Sequence, residues 1–277
     1  MNSIIRADNL VKTYGATTAL AGVSLAVSPG ESVAIMGASG SGKTTLLHTL
    51  AGVITPDSGS VLLSTGGGTQ DVARMSDNER SRLRRESFGF VFQQGLLLPE
   101  LTALENVALS AMLTGASRTD AEARARTWLS QLGLGGMEDR RIGQLSGGQA
   151  QRVAIARAQV TGAPVVFADE PTGALDSRTS SDVMTALITA TAGQGRTLIV
   201  VTHDRTVATR CSRIIEMRDG RISGAWAAPQ AYEAPAASAR TSAAPHVSPA
   251  TATAASHPDA LLAAVAMPTS ARSGQAR

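Results

Sequence analysis

The chain has few residues of the kinds that crosslink, stack or span. Its 277 residues hold one cysteine, Cys211, so no disulfide can form within it, and that fits a reducing compartment. Aromatics make up 3%, with two tyrosines and two tryptophans, so any aromatic near a candidate site carries more information than usual. Lysine occurs only at Lys12 and Lys43. No window approaches the ~18–20 consecutive apolar residues of a bilayer-crossing helix; the late stretch ALLAAVAM at 260–267 is far shorter. The opening MNSIIRADNLVKTYG lacks the apolar stretch of a secretory leader. A net charge of +3 is too small to argue for nucleic acid. These absences predict a cytoplasmic chain that does not cross a membrane alone. With 43% apolar residues it has enough to build a substantial core.

Composition shifts near Gly224. Residues 225–277 are dominated by alanine, with proline, serine and threonine and few charges. Such a segment cannot bury enough surface to offset the entropy of ordering, so a disordered tail is expected there. Residues 1–224 alternate between two periodicities. SVAIMG (32–37), GSVLLS, FGFVFQ, PVVFAD (164–169) and RTLIVVT (196–202) read as strands. KTTLLHTLAG (43–52), RTDAEARARTWLSQLGL and GQAQRVAIARAQV read as helices. SDNERSRLRRE (76–86) reads as a polar helix opened by a capping box of Ser76 and Glu79. The alternation predicts an α/β fold with a mostly parallel sheet covered by helices on both faces. The span from about 88 to 147 interrupts it with mostly helix and predicts an inserted helical subdomain.

Lysine 43 lies in GASGSGKTTLL (37–47), between a predicted strand and a predicted helix. Gly37, Gly42, Lys43 and Thr44 match G-x-x-x-x-G-K-[ST]. Glycines let successive backbone N–H groups converge, and the following helix adds the positive end of its dipole. Gly37, Ser39, Gly40, Ser41, Gly42, Lys43, Thr44 and Thr45 are therefore the candidate phosphate-binding residues. Lys43 is a point charge for β- and γ-phosphates, and the Thr44 hydroxyl suits a magnesium ion. Asp169 and Glu170 end the apolar strand PVVFADEP (164–171). Adjacent strand residues point to opposite sides, which assigns two roles: Asp169 to magnesium and Glu170 to activating water. His203 ends RTLIVVTHD (196–204) and is a candidate hydrogen-bond partner of a γ-phosphate. In QLSGGQAQRVAIARA (144–158), Ser146, Gly147, Gly148 and Gln149 open a helix, a second anion-binding surface.

With this last motif the chain resembles the ATP-binding cassette family, the nucleotide-binding subunits of ABC transporters, over about 220 residues. The resemblance implies a P-loop NTPase fold with a mixed sheet core, an antiparallel β portion and the helical insertion. It implies ATP as substrate with Mg²⁺, and a head-to-tail homodimer in which each ATP lies between Lys43 of one copy and Ser146 of the other. It further implies that Tyr14, in VKTYG, stacks on adenine, and that Gln93, in FVFQQ, contacts magnesium and water and couples the site to a membrane partner. Gln94 is the alternative for that role. By the same resemblance Asp176, in ALD (174–176), communicates across the dimer. FGFVFQQGLLLPELTALENV (88–107) and DEPTGALDS (169–177) resemble the cassettes that energise macrolide and peptide exporters, lipoprotein release and division-associated systems. Their permeases carry four spans per subunit and a large extracytoplasmic domain, which implies a chain held peripherally on the inner face of the membrane. The leucines of GLLLPELTALENVAL are the expected docking ground. The rival expectation is a soluble ABC-type ATPase acting on nucleic acid or ribosomes. It would predict a long coiled coil or tandem cassettes, and the sequence has neither. The basic run RSRLRRE (80–86) reads as a solvated helix face.

Overall fold

The computed structural model describes residues 3–93 and 95–228. In chain order the elements are β1 (Ile5–Tyr14), β2 (Thr17–Val27), β3 (Ser32–Met36), α1 (Lys43–Leu50), β4 (Ser58–Thr65), β5 (Gly68–Asp71) and α2 (Asp77–Ser87). β6 (Phe88–Phe92), α3 (Ala103–Leu113), α4 (Arg118–Gln131), α5 (Gly147–Gln159) and β7 (Val165–Asp169) follow. The chain continues through α6 (Ser177–Ala190), β8 (Thr197–Thr202), α7 (Arg205–Ala208), β9 (Arg213–Arg218) and β10 (Arg221–Ala227).

The main sheet has the order β10-β9-β3-β8-β7-β6, parallel from β9 to β6 with β10 antiparallel at one edge. All six residues of β8, TLIVVT, are buried, as a strand covered on both faces requires. Its side chains divide between two cores. Leu198 and Val200 join Ala34, Val166 and Ala168 beneath the helices, with Val153 and Ile155 of α5 and Leu187 of α6. Ile199 and Val201 join Val33, Ile35, Phe167 and Leu46 under an antiparallel sheet, β2-β1-β4-β5, which contributes Ile5, Leu10, Leu20 and Val61. α2 begins with the expected reciprocal cap: Glu79 N–H donates to Ser76 Oγ, and Ser76 N–H donates to the Glu79 carboxylate.

Two expected boundaries move. Phe88–Phe92 is the edge strand of the main sheet, in register with β7, so the helical insertion begins only after Phe92. Ladder hydrogen bonds, not composition, also decide where the last strand ends. β10 runs three residues past Gly224, with Trp226 opposite Ile214 and Ala227 opposite Arg213. The remainder of the expected tail, 229–277, lies outside the described residues, as does Gln94. Among the described residues no helix is long and apolar enough to cross a membrane.

Candidate functional site

The strand-to-helix turn between β3 and α1 bends through positive φ at Gly37 (155°), Gly40 (80°) and Gly42 (99°). Two of these positions also need the missing side chain. A Cβ on Gly37 would collide with the Met217 carbonyl oxygen, and one on Gly42 with that of Ala19. Gly42 is the N-cap of α1 and has no side chain to cap it, so the first-turn N–H groups have no capping oxygen. Buried Lys43 reaches back over the loop and donates from Nζ to Ala38 O at 2.8 Å. Ser41 Oγ is buried without a hydrogen-bond partner, as expected of a cradle whose polar atoms await a ligand.

Thr44, the first residue after that lysine, donates from Oγ1 to Asp169 Oδ1 at 3.3 Å. Burial pushes the Asp169 carboxyl above the ordinary carboxylate value. Nearby His48, the Thr44 hydroxyl and Lys43 act in the opposite direction. His48, on α1, was not singled out in the sequence; burial lowers its pKa and Asp169 partly offsets that. A hydroxyl and a carboxylate side by side are hard oxygen donors of the kind Mg²⁺ takes alongside phosphate oxygens. The described residues contain no cluster of three or more His, Cys, Asp or Glu side chains able to hold a metal by themselves.

Glu170 is not a strand residue. Its φ is 46° and its N–H donates to Val201 O, so the chain leaves β7 by a left-handed turn at that residue. This corrects the expectation that strand alternation separates the two carboxylates; a strained turn does so instead. The Glu170 carboxylate lies 2.9 Å from His203 Nδ1. A carboxylate oxygen accepts, so in this contact His203 Nδ1 is the donor. Gln93, just past β6, lies against the same loop: a Cβ on Gly173 would sit 2.8 Å from its Nε2. Gly173 N–H in turn donates to Glu170 O.

The remaining candidates lie apart from this group. Ser146 caps α5 in a closed box: Gln149 N–H donates to its Oγ, and its own N–H donates to Gln149 Oε1. Gly147 faces Leu175, and Gly148 leaves no room for a Cβ beside Thr179 Cγ2, so this helix end abuts the loop carrying Asp176. Asp176 caps α6, accepting from Arg178 N, Thr179 N and Thr179 Oγ1; these bonds hold its carboxyl below the usual range. Tyr14 ends β1 49% exposed, with Lys12 Nζ over its ring, 5.6 Å from the centroid. The structure thus gathers Lys43, Thr44, Asp169, Glu170, His203 and Gln93 around β3, β7 and β8. Ser146 and Asp176 form a second group.

Sequence reasoning missed Gln151 and Arg157, which hold the segment next to Gln93 from the α5 side. Gln151 Nε2 donates to Phe92 O at 2.9 Å. Arg157 donates to Gly95 O and Leu96 O, each at 2.6 Å. The available signal was a polar residue at a core-facing helical position, since Gln151 is 4% exposed.

Comparison with known proteins places these geometries in a family. The ABC transporter family model matches residues 20–173. The pyoverdine export ATP-binding/permease protein PvdT of Pseudomonas entomophila (strain L48) is 46% identical over 232 residues, covering 82% of this chain and 35% of that protein. The macrolide export ATP-binding/permease protein MacB of Brucella melitensis is 47% identical over 223 residues, covering 79% of this chain and 34% of that one. The chain therefore spans about a third of the length of the curated relatives it matches. Among solved structures, the dimeric post-hydrolysis state of the ATP-binding cassette MJ0796 bound to ADP and Pi shares 38% identity at a TM-score of 0.73. It covers 80% of this chain and 98% of that one. The structure of cbiO1 from Clostridium perfringens, part of the complex cbiONQ, shares 29% identity at the same TM-score, with 83% and 90% covered.

Proposed function

We propose, from the premise that this chain belongs to the ABC transporter family, that it hydrolyses ATP to drive a membrane permease of the export, lipoprotein-release or mechanotransmission type. The observation that carries the reading is the pair of hydrogen bonds Thr44–Asp169 and Glu170–His203 around one glycine cradle. Lys43, now on Ala38 O, turns to the β- and γ-phosphates when nucleotide enters. Thr44 and Asp169 would hold Mg²⁺, with Gln93 in support, and the ion would supply charge neutralisation for the phosphates. Glu170 takes the proton of the attacking water, a role that contributes typically about 10²–10⁴-fold in rate. His203 orients Glu170 and hydrogen-bonds the γ-phosphate. Tyr14 stacks on adenine, an interaction of about 1–3 kcal/mol per base.

Ser146, Gly147, Gly148 and Gln149 serve the ATP of a second copy, with Asp176 beside them, so the working unit is a dimer that closes on ATP. The permease partner has four spans per subunit and a large outer domain, and holds the cassette on the cytoplasmic face of the membrane. Leu96 and Leu98, 52% and 45% exposed, lie on the surface offered to it. The relatives reported above bear export names, and nothing among them favours the soluble nucleic-acid or ribosome reading.

The test is a trap. Glu170→Gln binds Mg-ATP without turning it over, is captured from its own cells, and its co-purifying membrane protein is identified. A four-span partner with a large outer domain supports the reading, and a six-span partner keeps the transporter but rejects the subfamily. Brisk hydrolysis by this variant removes the base assignment, and recovery with ribosomes or DNA alone rejects the transporter.

A further inference from the structure

Two consecutive residues beyond Gln93 take left-handed backbone conformations: Gly95, with φ 67°, and Leu96, with φ 44°. Glycine adopts this region freely; leucine does so only at a steric cost, so something must hold it there. Their carbonyl oxygens are the two acceptors of one guanidinium, Arg157 Nη2 on Gly95 O and Nη1 on Leu96 O, each at 2.6 Å. Among the described residues no carboxylate pairs with Arg157. Burial pushes its pKa down to about 10, so the desolvated charge is balanced by these carbonyl dipoles. Six residues earlier on the same helix, Gln151 holds Phe92 O, the residue before Gln93. α5 therefore grips the chain on both sides of Gln93, and its first turn carries Gly147 and Gly148.

The geometry points to Arg157 as a positioning residue that sets where Gln93 stands against the Glu170 loop, and so ties the turn bearing Leu96 and Leu98 to ATP turnover. The planar fork matters: two carbonyls in fixed relation are bound by two N–H groups in fixed relation, which a lysine cannot reproduce. This inference rests on the ATPase reading above.

The test is a double-mutant cycle on the full chain: wild type, Arg157→Gln, Gln93→Ala and the double variant, each measured for steady-state phosphate release from Mg-ATP. Arg157→Gln is expected to lower kcat about tenfold with little change in KM, because the cradle is untouched. The double variant is expected to be no slower than Gln93→Ala alone, and Arg157→Lys to recover only part of the rate. If Arg157→Gln does not fold, Arg157→Lys takes its place in the same cycle. Multiplying effects, a wild-type kcat for Arg157→Gln, or an altered KM with unaltered kcat overturns the inference and leaves the ATPase reading standing. A wild-type chain that releases no phosphate overturns that reading and the inference with it.

Discussion

The glycine-rich turn allows a prediction in which two substitutions of the same kind must differ. Gly40 and Gly42 both have positive φ, 80° and 99°. A Cβ on Gly40 meets nothing, whereas one on Gly42 runs into the Ala19 carbonyl oxygen of β2, with Met217 Cε 3.3 Å away. Gly40→Ala therefore carries only the conformational term, about 1–2 kcal/mol for a left-handed alanine. That is reduced by the about 0.4–1 kcal/mol gained from restricting the unfolded chain. Gly42→Ala adds a backbone displacement between β2 and α1, about 1–3 kcal/mol by analogy with overpacked cores. At ~2–4 °C per kcal/mol for a domain of this size, Gly40→Ala should lower Tm by at most about 6 °C and Gly42→Ala by a further ~2–12 °C. Gly42→Ala should also lose ATP binding, because it shifts the first turn of α1. Calorimetry with a fluorescent-nucleotide titration measures both. Equal Tm losses would mean that the approach of β2 to Gly42 does not constrain the turn, and intact nucleotide binding by Gly42→Ala would refute the claim that the turn is built for phosphate.

Asp169→Asn removes a carboxylate that burial disfavours, so in the absence of nucleotide it should raise Tm at neutral pH while Mg-dependent hydrolysis is lost; a fall in Tm would show that His48, the Thr44 bond and the Lys43 charge together outweigh desolvation. Ser146→Ala breaks the α5 cap and should cost about 1 kcal/mol. Ser146→Asp should keep that cap and its Tm yet abolish ATP-dependent dimerisation by placing a carboxylate where phosphate belongs, as read by light scattering. Buried Cys211 has its thiol pushed up to about 12. It stays protonated through the physiological range, and in the folded chain iodoacetamide at pH 8 should not modify it until denaturant is added; labelling of the native chain at the rate of free cysteine would contradict its burial.

Much of the main sheet could be read because its strands are covered on both faces. That burial writes continuous apolar runs such as SVAIM and TLIVV, each bounded by glycine or polar residues. The cradle could be read because close backbone approach excludes a side chain at Gly37 and Gly42, leaving those glycines at fixed spacing. The antiparallel sheet was harder, since bulges break its alternation. The β1–β2 register shifts between Ala7 and Leu10, where Asn9 turns to φ 50°, and again between Leu10 and Val11, where Gly22 of β2 turns to 84°. β10 was hidden by its composition: alanines in RISGAWA look like the segment that follows, but partners on β9 fix them as strand. Glu170 was placed in the strand because nothing local marks a glutamate with positive φ; that conformation is imposed by the Val201 carbonyl, thirty-one residues away in sequence. The roles of Arg157 and Gln151 are likewise set at long range, since the carbonyls they serve lie about sixty residues earlier.

The two groups of site residues differ in how far their polar groups are satisfied. Around Ser146 the capping box satisfies the serine and glutamine within α5, so this helix end is stable in water on its own. Around Lys43 the cradle has an orphan Ser41 hydroxyl, an uncapped helix end and a lysine resting on a carbonyl. The capping box leaves the Gly147 and Gly148 N–H groups uncapped at the first surface, and the second surface needs an anion before it is complete. On the proposed reading, ATP is that anion, and it presents its remaining phosphate oxygens to the Gly147 and Gly148 end of a second copy. Association is then linked to nucleotide rather than to apolar burial: the dimer gains stability as RT ln(1 + [L]/Kd) and loses it when the γ-phosphate leaves. A cassette that must open after every turnover is better served by such an interface than by a permanent apolar one.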